Sequence, residues 1–383
     1  MLELKLSLKN LLGAKLRTFL NVFVLSLSFV IIILLNGLMD GWDAQAKRDS
    51  IAWEYGNGHL LHKNFDPLDP FSILEGHGSI PKGVNNLTPI LVHQATIYPQ
   101  GRIMSISMKG GFPKNNFIKV PLKKVLNTNY KYPAVIGKRM AESTKLTIGD
   151  EVLIRWRDKN GTYDADRITI VDIFDSDVPT VDTGQLWLDL NTLWQMTGLK
   201  NEASFFIANT SYKPSVLQDW KFKSQESLLK LITDLVNQKK YQQGIIYFLL
   251  MSIALLAIFD TQVLSIFRRQ KEIGTLIALG MTRSRVIKLF TLEGSLYSFF
   301  SLLLGGVYGF PLFYFLSLNG FPVPPADQKL GIAIGDFIYP VYGFSLVFGT
   351  ILTVLISATI VSFLPAKKIS KLNPVLALKG KLQ

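Results

Sequence analysis

Cysteine is absent from this chain of 383 residues. Its absence excludes disulfides, thiol chemistry and cysteine metal ligands, so any folded domain must be held together by its own core. Histidine is scarce, with residues only at positions 59, 62, 77 and 93. His59 and His62 lie three apart in a strand-like stretch, and no carboxylate cluster accompanies them. We therefore expect no metal site.

Motifs for catalysis and nucleotide binding are also missing. No G-x-x-x-x-G-K-[ST] sequence occurs, because Gly137-Lys138 lacks both the upstream glycine and the following Ser or Thr. There is no nucleophile elbow, HExxH motif or dinucleotide fingerprint, and Asp177, Asp182 and Glu202 form no recognisable acid/base pair. We expect a protein that is not an enzyme and binds no cofactor itself.

Long apolar runs are what the chain does have. The hydrophobic content of 48% and mean hydropathy of +0.27 predict that one part spans a membrane and another folds in water. About 20 apolar residues cross a hydrocarbon core. Four segments meet that length, at residues 18–39, 244–267, 294–318 and 341–363.

One formal charge, Asp260, lies inside these segments. A carboxylate within a membrane is a functional hypothesis by default. Asp260 is, however, only about 10 Å from the cytosolic end of its segment at the rise of an α-helix. A simple pairing with Arg17, Arg268 or Asn21 is the other interpretation, and the role of Asp260 stays open.

The net charge of +13 is concentrated in three short pieces. Residues 1–17, 268–293 and 364–383 hold fifteen basic residues against three acidic ones, and the remainder is nearly neutral. Positive charge marks the cytoplasmic side of a membrane protein. Both termini and the 268–293 loop are therefore predicted to be cytosolic, and the basic balance does not indicate a nucleic-acid partner.

The predicted fold is a membrane protein with four transmembrane helices and a large α+β extracytoplasmic domain of two subdomains. The domain occupies residues 40–243, between the first and second spans, and a basic stretch at 110–131 is the expected subdomain boundary. A second external loop covers 319–340. The first span is retained, because its apolar run is too long for a signal peptide and no small-x-small cleavage site follows it.

Local patterns refine this prediction. Residues 57–63, 91–108, 151–156 and 167–174 are strand-like, and Asn160-Gly161 predicts a hairpin. Residues 135–147 are helix-like. Helical periodicity over 224–243 runs into the second span, which predicts one continuous stalk helix. Residues 1–17 are expected to form an amphipathic helix in the cytosolic interface, or only a flank that sets topology.

The loop RRQKEIGTLIALG, residues 268–280, is basic and partly amphipathic. Its apolar residues Ile273, Leu276, Ile277 and Leu279 have roughly helical spacing. A loop that only connects two spans needs no such pattern. We expect another protein to dock on it, and an interfacial amphipathic helix is the alternative.

The same segment carries a family resemblance. RQKEIGTLIALG, followed by Glu293-Gly294, resembles the R-x-x-E-I-G…A-x-G…E-G signature of FtsX-like permeases, and the tail LPAKKISKLNPVLALKG resembles their closing pattern. GLMDGW, GNGHLLH and VIGKRMAESTKLTIGDEVLI resemble the lipoprotein-releasing (LolC/LolE-like) subgroup. The similarity covers essentially the whole chain.

The resemblance implies a permease subunit of a type VII ABC transporter, multi-pass in the bacterial inner membrane, with its large domain periplasmic. Such permeases pair with a second permease, and a separate cytosolic ATPase dimer carries ATP and Mg²⁺. Motion of the second-span stalk is passed to the external domain by mechanotransmission. The residues expected to couple to the ATPase are Glu272, Ile273, Leu276, Leu279, Gly280 and Met281.

Several functions fit this class. The first is extraction of lipoproteins from the outer leaflet, with a periplasmic carrier or adaptor and membrane lipids as further partners. An apolar wall of Phe23, Leu27 and Val30 in the first span would then meet acyl chains. The apolar first span could equally face lipid or a dimer partner. The alternatives are a MacB-like exporter of peptides or antibiotics, an FtsX-like regulator of a cell-wall hydrolase, and a receptor or scaffold. Substrate identity and homodimer versus heterodimer stay open.

Overall fold

The structure is a computed structural model that describes residues 2–13, 15–67, 69–81, 85–114, 117–126, 128–214, 217–324 and 334–369. Most of the basic tail, residues 370–383, lies outside the described residues. The chain divides into two compact units. One, the helical unit, takes Met1–Trp42, Val236–Phe321 and Tyr339–Gln383, and the other, the sheet unit, takes Asp43–Leu235 and Pro322–Ile338.

The helices of the described residues are α1 (Leu2–Gly13), α2 (Lys15–Ser50), α3 (Lys138–Thr144), α4 (Pro179–Asp182), α5 (Leu190–Thr197), α6 (Gln225–Arg268), α7 (Gln270–Ala278), α8 (Arg283–Asn319) and α9 (Phe344–Ile369). The strands are β1 (Gly58–His62), β2 (Gly78–Ser79), β3 (Leu87–Ile97), β4 (Met104–Gly111), β5 (Pro133–Gly137), β6 (Glu151–Arg157), β7 (Tyr163–Phe174), β8 (Gln185–Asp189), β9 (Glu202–Ala203), β10 (Phe205–Ala208), β11 (Trp220–Ser224), β12 (Phe321–Pro322) and β13 (Phe337–Ile338).

Four helices within the described part of the chain are long and apolar enough to cross a membrane. They are α2 with its π-helical continuation to Tyr55, α6, α8 and α9. The apolar runs account for these helices. Hydrocarbon holds no water to hydrogen-bond the backbone, and an α-helix pairs its backbone N–H and C=O groups within its own segment. Together with the sheet unit they give a membrane protein with a large sheet-rich domain.

α6 is 44 residues long and covers both the segment expected to be a stalk and the second apolar run. Its sequence contains no proline, and Gly244 sits where a Cβ would meet nothing within 4 Å. The described sequence of α6 thus contains no residue that would force the helix to kink or end.

Nine strands form one sheet, which closes on itself through β3. The strand order β3-β4-β8-β5-β7-β6 returns to β3 through the pairing of Ala95–Ile97 with β6, and β10, β1 and β11 continue outward from the other end of β3. The pairs β4–β8 and β5–β7 are parallel. β3 pairs both with the closed strands and with the strands that continue outward, which explains why it is almost wholly buried.

The apolar residues of the sheet unit fall into a large cluster and a small one. The large cluster lies on the closed six strands and includes Met108, Ile136 and Trp156, while the small one joins Leu60 and Phe206 on the outward strands. The stretch expected to be a subdomain boundary contains Leu122 and Val125, both buried, unlike an exposed linker. Two subdomains therefore remain a prediction.

Local patterns predicted the strands better than the helices here. The hairpin at Asn160-Gly161 is confirmed, with Arg157 paired to Tyr163. The helix predicted over 135–147 is wrong in its first part, because 133–137 is strand β5 and only α3 is helical. Val135 and Ile136 are fully buried between β7 and β8, and a buried strand carries no alternation that distinguishes it from a helix.

Candidate coupling site

Helix α7 lies in the short segment between two spanning helices, and a left-handed glycine ends it. Gly280 has φ +95°, its N–H donates to the Ile277 carbonyl at 3.0 Å, and the Met281 N–H donates to the Leu276 carbonyl at 2.9 Å. This pair of bonds is the Schellman arrangement, which favours glycine at the position after the helix. Gly280 therefore turns the chain from α7 towards α8.

One face of α7 is buried within the chain. Ile273 is 3% exposed and packs in an apolar cluster with Val286 and Phe290 of α8, Ile266 of α6 and Ala366 of α9. Ile277 and Met281 pack against the same cluster. Ile273 thus anchors the helix and is not available to a partner, whereas Met281 is only half-buried.

Arg269 ties α7 to α8. Its Nε donates to Glu272 Oε2 at 2.8 Å and its Nη1 to Glu293 Oε2 at 3.1 Å, while its guanidinium lies 5.2 Å from the centre of the Phe290 ring. Glu293 is nine-tenths buried and also accepts a long 3.5 Å bond from Asn10 Nδ2. Charge-assisted bonds of a planar guanidinium fix geometry as well as energy.

This network gives a physical reason for the signature residues. Arg269 is the N-cap residue of α7, three residues before Glu272, and Glu293 stands in α8. One guanidinium therefore joins the turn after α6 to both α7 and α8. Sequence reasoning assigned Glu272 to a partner and missed Arg269 and Asn10. The i, i+3 pairing of Arg269 with Glu272 was the available signal.

Another part of the α7 surface is exposed among the described residues. Leu279 is 81% exposed, Glu272 is exposed apart from its bond to Arg269, and Leu276 is half-buried. An exposed leucine beside a carboxylate, on a helix whose other face is fixed, is suited to contact with a protein surface.

Helix α1 also packs on this site. Ser7 Oγ donates to the Leu289 carbonyl at 3.0 Å, and Leu11 is buried in the main apolar cluster of the helical unit. The N-terminal segment therefore packs against α8 through Ser7, Asn10 and Leu11.

Polar side chains fill part of the interior of the spanning helices, which the sequence analysis did not expect. Asn21 Nδ2 donates to Thr261 Oγ1 at 2.7 Å, and Ser295 and Thr359 share a 3.0 Å hydrogen bond. Gln262 is fully buried. Asp260, by contrast, is exposed on α6, and Asn21, one of its expected partners, is bonded to Thr261 instead.

The three residues expected to line a substrate cavity differ in their exposure. Phe23 and Leu27 are 42% and 43% exposed, whereas Val30 is buried against Gly305 and Gly309 of α8. Two other apolar clefts exist in the helical unit. One of 460 Å³ lies between α2, α8 and α9, and one of 480 Å³ lies between Leu11, the start of α2 and α8.

The histidines of the sheet unit act as parts of its core. Burial lowers the pKa of His59 to about 4, and its Nε2 lies 3.0 Å from the Glu54 carbonyl. His93 is buried with a lowered pKa from the same cause, and His77 pairs with Glu202 at 2.5 Å. Among the described residues, no three His, Cys, Asp or Glu side chains are grouped to hold a metal.

Comparison with known proteins identifies the class. The sequence model of the family described as "FtsX-like permease C-terminal" matches residues 244–374, which contain α7 and the helices around it. Residues 244–374 thus resemble the C-terminal region of FtsX-like permeases, and the resemblance expected from the sequence motifs is confirmed.

The relation to particular proteins is more distant. The chain is 21% identical over 263 residues to the lipoprotein-releasing system transmembrane protein LolC of Neisseria meningitidis serogroup B. The aligned region covers 60% of this chain and 61% of the length of LolC.

Two solved structures resemble it at low scores. The periplasmic region of MacB from Actinobacillus actinomycetemcomitans has TM-score 0.31 and 8% identity, covering 46% of this chain and 93% of that one. The extracellular domain of the ABC-type transporter YknZ from Gram-positive bacteria has TM-score 0.27 and 13% identity, covering 40% and 83%.

Proposed function

We propose that this chain is the non-catalytic permease subunit of an ABC transporter, and that a separate cytosolic ATPase docks on the exposed face of α7. The observation that carries the proposal is the division of α7 into an anchored face, with Ile273 buried, and a free face, with Leu279 exposed. A helix held in this way can pass a push from a partner to α8 without changing shape.

Motion at α7 has a route along the chain. α6 ends at Arg268 and α7 begins at Gln270, so displacement of one acts directly on the other. Towards the external end of α6, Lys240 Nζ donates to Asp40 Oδ1 of α2 at 2.6 Å. The two spans are thus linked above the membrane, which supports mechanotransmission through α6 in an inner-membrane protein with cytosolic termini and a periplasmic sheet unit.

Within this class we favour extraction of lipid-anchored proteins from the outer leaflet, with a second permease, identical or related, completing the dimer. The similarity to LolC and the apolar outer surfaces of the spans support this substrate. Each buried CH₂ of an acyl chain contributes about 0.8 kcal/mol to membrane anchoring. Extraction must therefore be driven, which is the reason for an ATPase partner.

The docking step is tested by Leu279→Asp, with Leu153→Asp as a matched control on an exposed strand position of the sheet unit. A charge that would be desolvated against the ATPase should abolish co-purification of the co-expressed ATPase and stimulated ATP hydrolysis in Leu279→Asp only. Normal association and hydrolysis in that variant would contradict docking at α7.

The substrate is tested separately by depletion of the protein and membrane fractionation. Mis-sorted lipoproteins retained in the inner membrane are the expected result. Correct lipoprotein sorting with accumulation of a peptide or drug in cells would instead favour a MacB-like exporter, and a cell-separation defect alone would favour an FtsX-like regulator.

A further inference from the structure

We propose that the cleft between α2, α8 and α9 is a binding site for one acyl chain of a membrane phospholipid. This site is independent of the proposed function, because it is built within a single chain and needs neither the ATPase nor a substrate. We call it the α2/α8/α9 cleft, and its lining residues are Phe29, Ile33, Leu302, Gly306, Phe310, Phe313, Tyr314, Ser317, Tyr342, Val347 and Ile351.

The lining is suited to hydrocarbon. Apart from the hydroxyl-bearing Tyr314, Ser317 and Tyr342, every residue of the cleft is apolar. Apart from Tyr342, which precedes α9, all of them lie in helices long and apolar enough to span a membrane, so we take the medium at the open side of the cleft to be lipid. A groove in such a surface is filled by chains from the bilayer unless protein covers it.

Glycines on α8 create the depth of the cleft. A Cβ at Gly305 would lie 3.3 Å from Phe29 and one at Gly309 3.0 Å from Val30, so these two glycines let α2 approach. A Cβ at Gly306 would meet nothing within 4 Å. Gly306 is thus not required for packing, and the space above it belongs to the cleft.

Two aromatic rings pack together in the lining of the cleft. The Tyr342 ring packs against Gly37 of α2, where a Cβ would come within 2.5 Å of it, and its centroid lies 4.6 Å from that of Phe313. Ser317 and Tyr314 stand nearest the end of α8, so polar groups lie at the end nearest the membrane surface and apolar groups along the shaft. A phospholipid has the same order of polarity along the membrane normal.

The size suits a slender occupant. The cleft is a groove of 460 Å³ between helices, a shape that a hydrocarbon chain can enter. A transmembrane helix, about 10–12 Å across, could cover the mouth of the cleft but could not enter it.

The test fills the cleft from α8 and measures retained lipid. The full chain is purified in detergent, delipidated, and examined by native mass spectrometry after addition of phosphatidylglycerol. Gly306→Leu should lose the single retained phospholipid. Gly349→Leu on α9, where a Cβ also meets nothing within 4 Å but no cleft residue is involved, should retain it, as should Gly306→Ala.

A second pair of variants keeps the test decisive if Gly306→Leu does not fold. Ile351→Trp fills the cleft from α9, and Ile356→Trp places the same side chain at a half-exposed position outside it. Loss of lipid in Ile351→Trp alone, with unchanged thermal unfolding, would support the site. Equal lipid retention in filled and control variants would overturn it. So would a change of oligomeric state without loss of lipid, or retention of a lipoprotein instead of a phospholipid.

Discussion

The two units of this chain are built inside out relative to each other. In the sheet unit the largest side chains are enclosed, with Trp156 and Trp187 each 2% exposed. In the helical unit large apolar residues such as Phe310 and Phe344 are 72% and 82% exposed, while Gln262 and other small polar residues of the spans are buried. The helical unit also encloses apolar residues such as Phe29 and Tyr297, but it exposes many more of them than the sheet unit does.

The difference teaches what holds each unit together. In water, burial of apolar area is the dominant favourable contribution. In lipid it is not available between helices, because the surrounding tails are as apolar as leucine, so close packing of small residues and interhelical hydrogen bonds remain. We therefore expect that truncation of a large apolar side chain lowers stability most in the sheet unit. In the helical unit, overpacking of a close contact or removal of a hydrogen bond should lower stability most.

The largest expected effect is that of Trp156→Ala in the sheet unit. Trp156 lies in the large apolar cluster, and its indole Nε1 donates to the Met196 carbonyl at 2.7 Å. The substitution leaves a cavity and an unpaired carbonyl, and it should lower the free energy of unfolding by about 3–5 kcal/mol. Chemical denaturation monitored by far-UV circular dichroism measures the loss of the strand signal.

Phe310→Ala is the matched substitution on the helical side. Because Phe310 faces outward, its truncation should change stability far less than Trp156→Ala. If both substitutions cost the same, the inside-out description of the two units is wrong.

The sequence predicted the helical unit well because its signals are local. An apolar run defines a span without reference to other residues. α6 and α8 end at Arg268 and Asn319, within one residue of the ends of their runs, although both helices begin well before them. The sheet depended on distant pairings, such as Ala95 with Trp156, that no local pattern contains. For that reason the closure of the sheet and the strand at Val135 were missed.

The second prediction uses pH to separate the units. Burial holds the pKa of His59 at about 4, against an ordinary value of 6.5, beside Lys109 and Lys223. The unfolded chain therefore takes up a proton between pH 6.5 and 4 that the folded sheet unit does not. Stability of the sheet unit should fall as pH falls through that window, by roughly 3 kcal/mol.

His59→Phe removes this titration while keeping a ring against Phe205, whose centroid is 4.8 Å away. The variant should lose stability at all pH values, because the Glu54 carbonyl loses its partner, but its dependence on pH should be shallower. Thermal unfolding of the full chain from pH 4 to 7 measures both slopes. An unchanged slope would remove His59 as the cause.

The third prediction concerns space in the helical unit. A Cβ at Gly294 would lie 2.0 Å from Ser362 Oγ, where α8 and α9 cross. Gly294→Ala should therefore destabilise that contact by about 1–3 kcal/mol, the usual cost of overpacking. Gly306→Ala, with open space around its Cβ, should be close to neutral.

Double substitution distinguishes crowding from a general intolerance of glycine replacement. Gly294→Ala combined with Ser362→Gly should recover most of the lost stability, measured by thermal unfolding in detergent. No recovery would mean that the α8–α9 contact is not the place where the methyl group acts.

The candidate site was half predictable for the same physical reasons. Amphipathic spacing identified α7. Gly280 was grouped with the coupling residues, and its positive φ and Schellman bonds show that it turns the chain after α7. Spacing alone could not tell which apolar residue faces inward, so Ile273 was grouped with Leu279 although one is buried and the other exposed. The link from Arg269 to Asn10 through Glu293 joins residues distant in sequence.

The smallest expected effect is that of the hydrogen bond between Asn21 and Thr261 within the spans. Its 2.7 Å length and full burial would make it strong in an apolar medium, but the unfolded helices in a membrane also find partners for their polar groups. A double-mutant cycle with Asn21→Leu and Thr261→Val should therefore give a coupling of about 0.6 kcal/mol, and not above about 1.7. Reversible unfolding in mixed micelles provides the four free energies. A coupling of several kcal/mol would mean that polar pairs, and not close packing, contribute most to the stability of the helical unit. The two units would then differ in the kind of contact that stabilises them most.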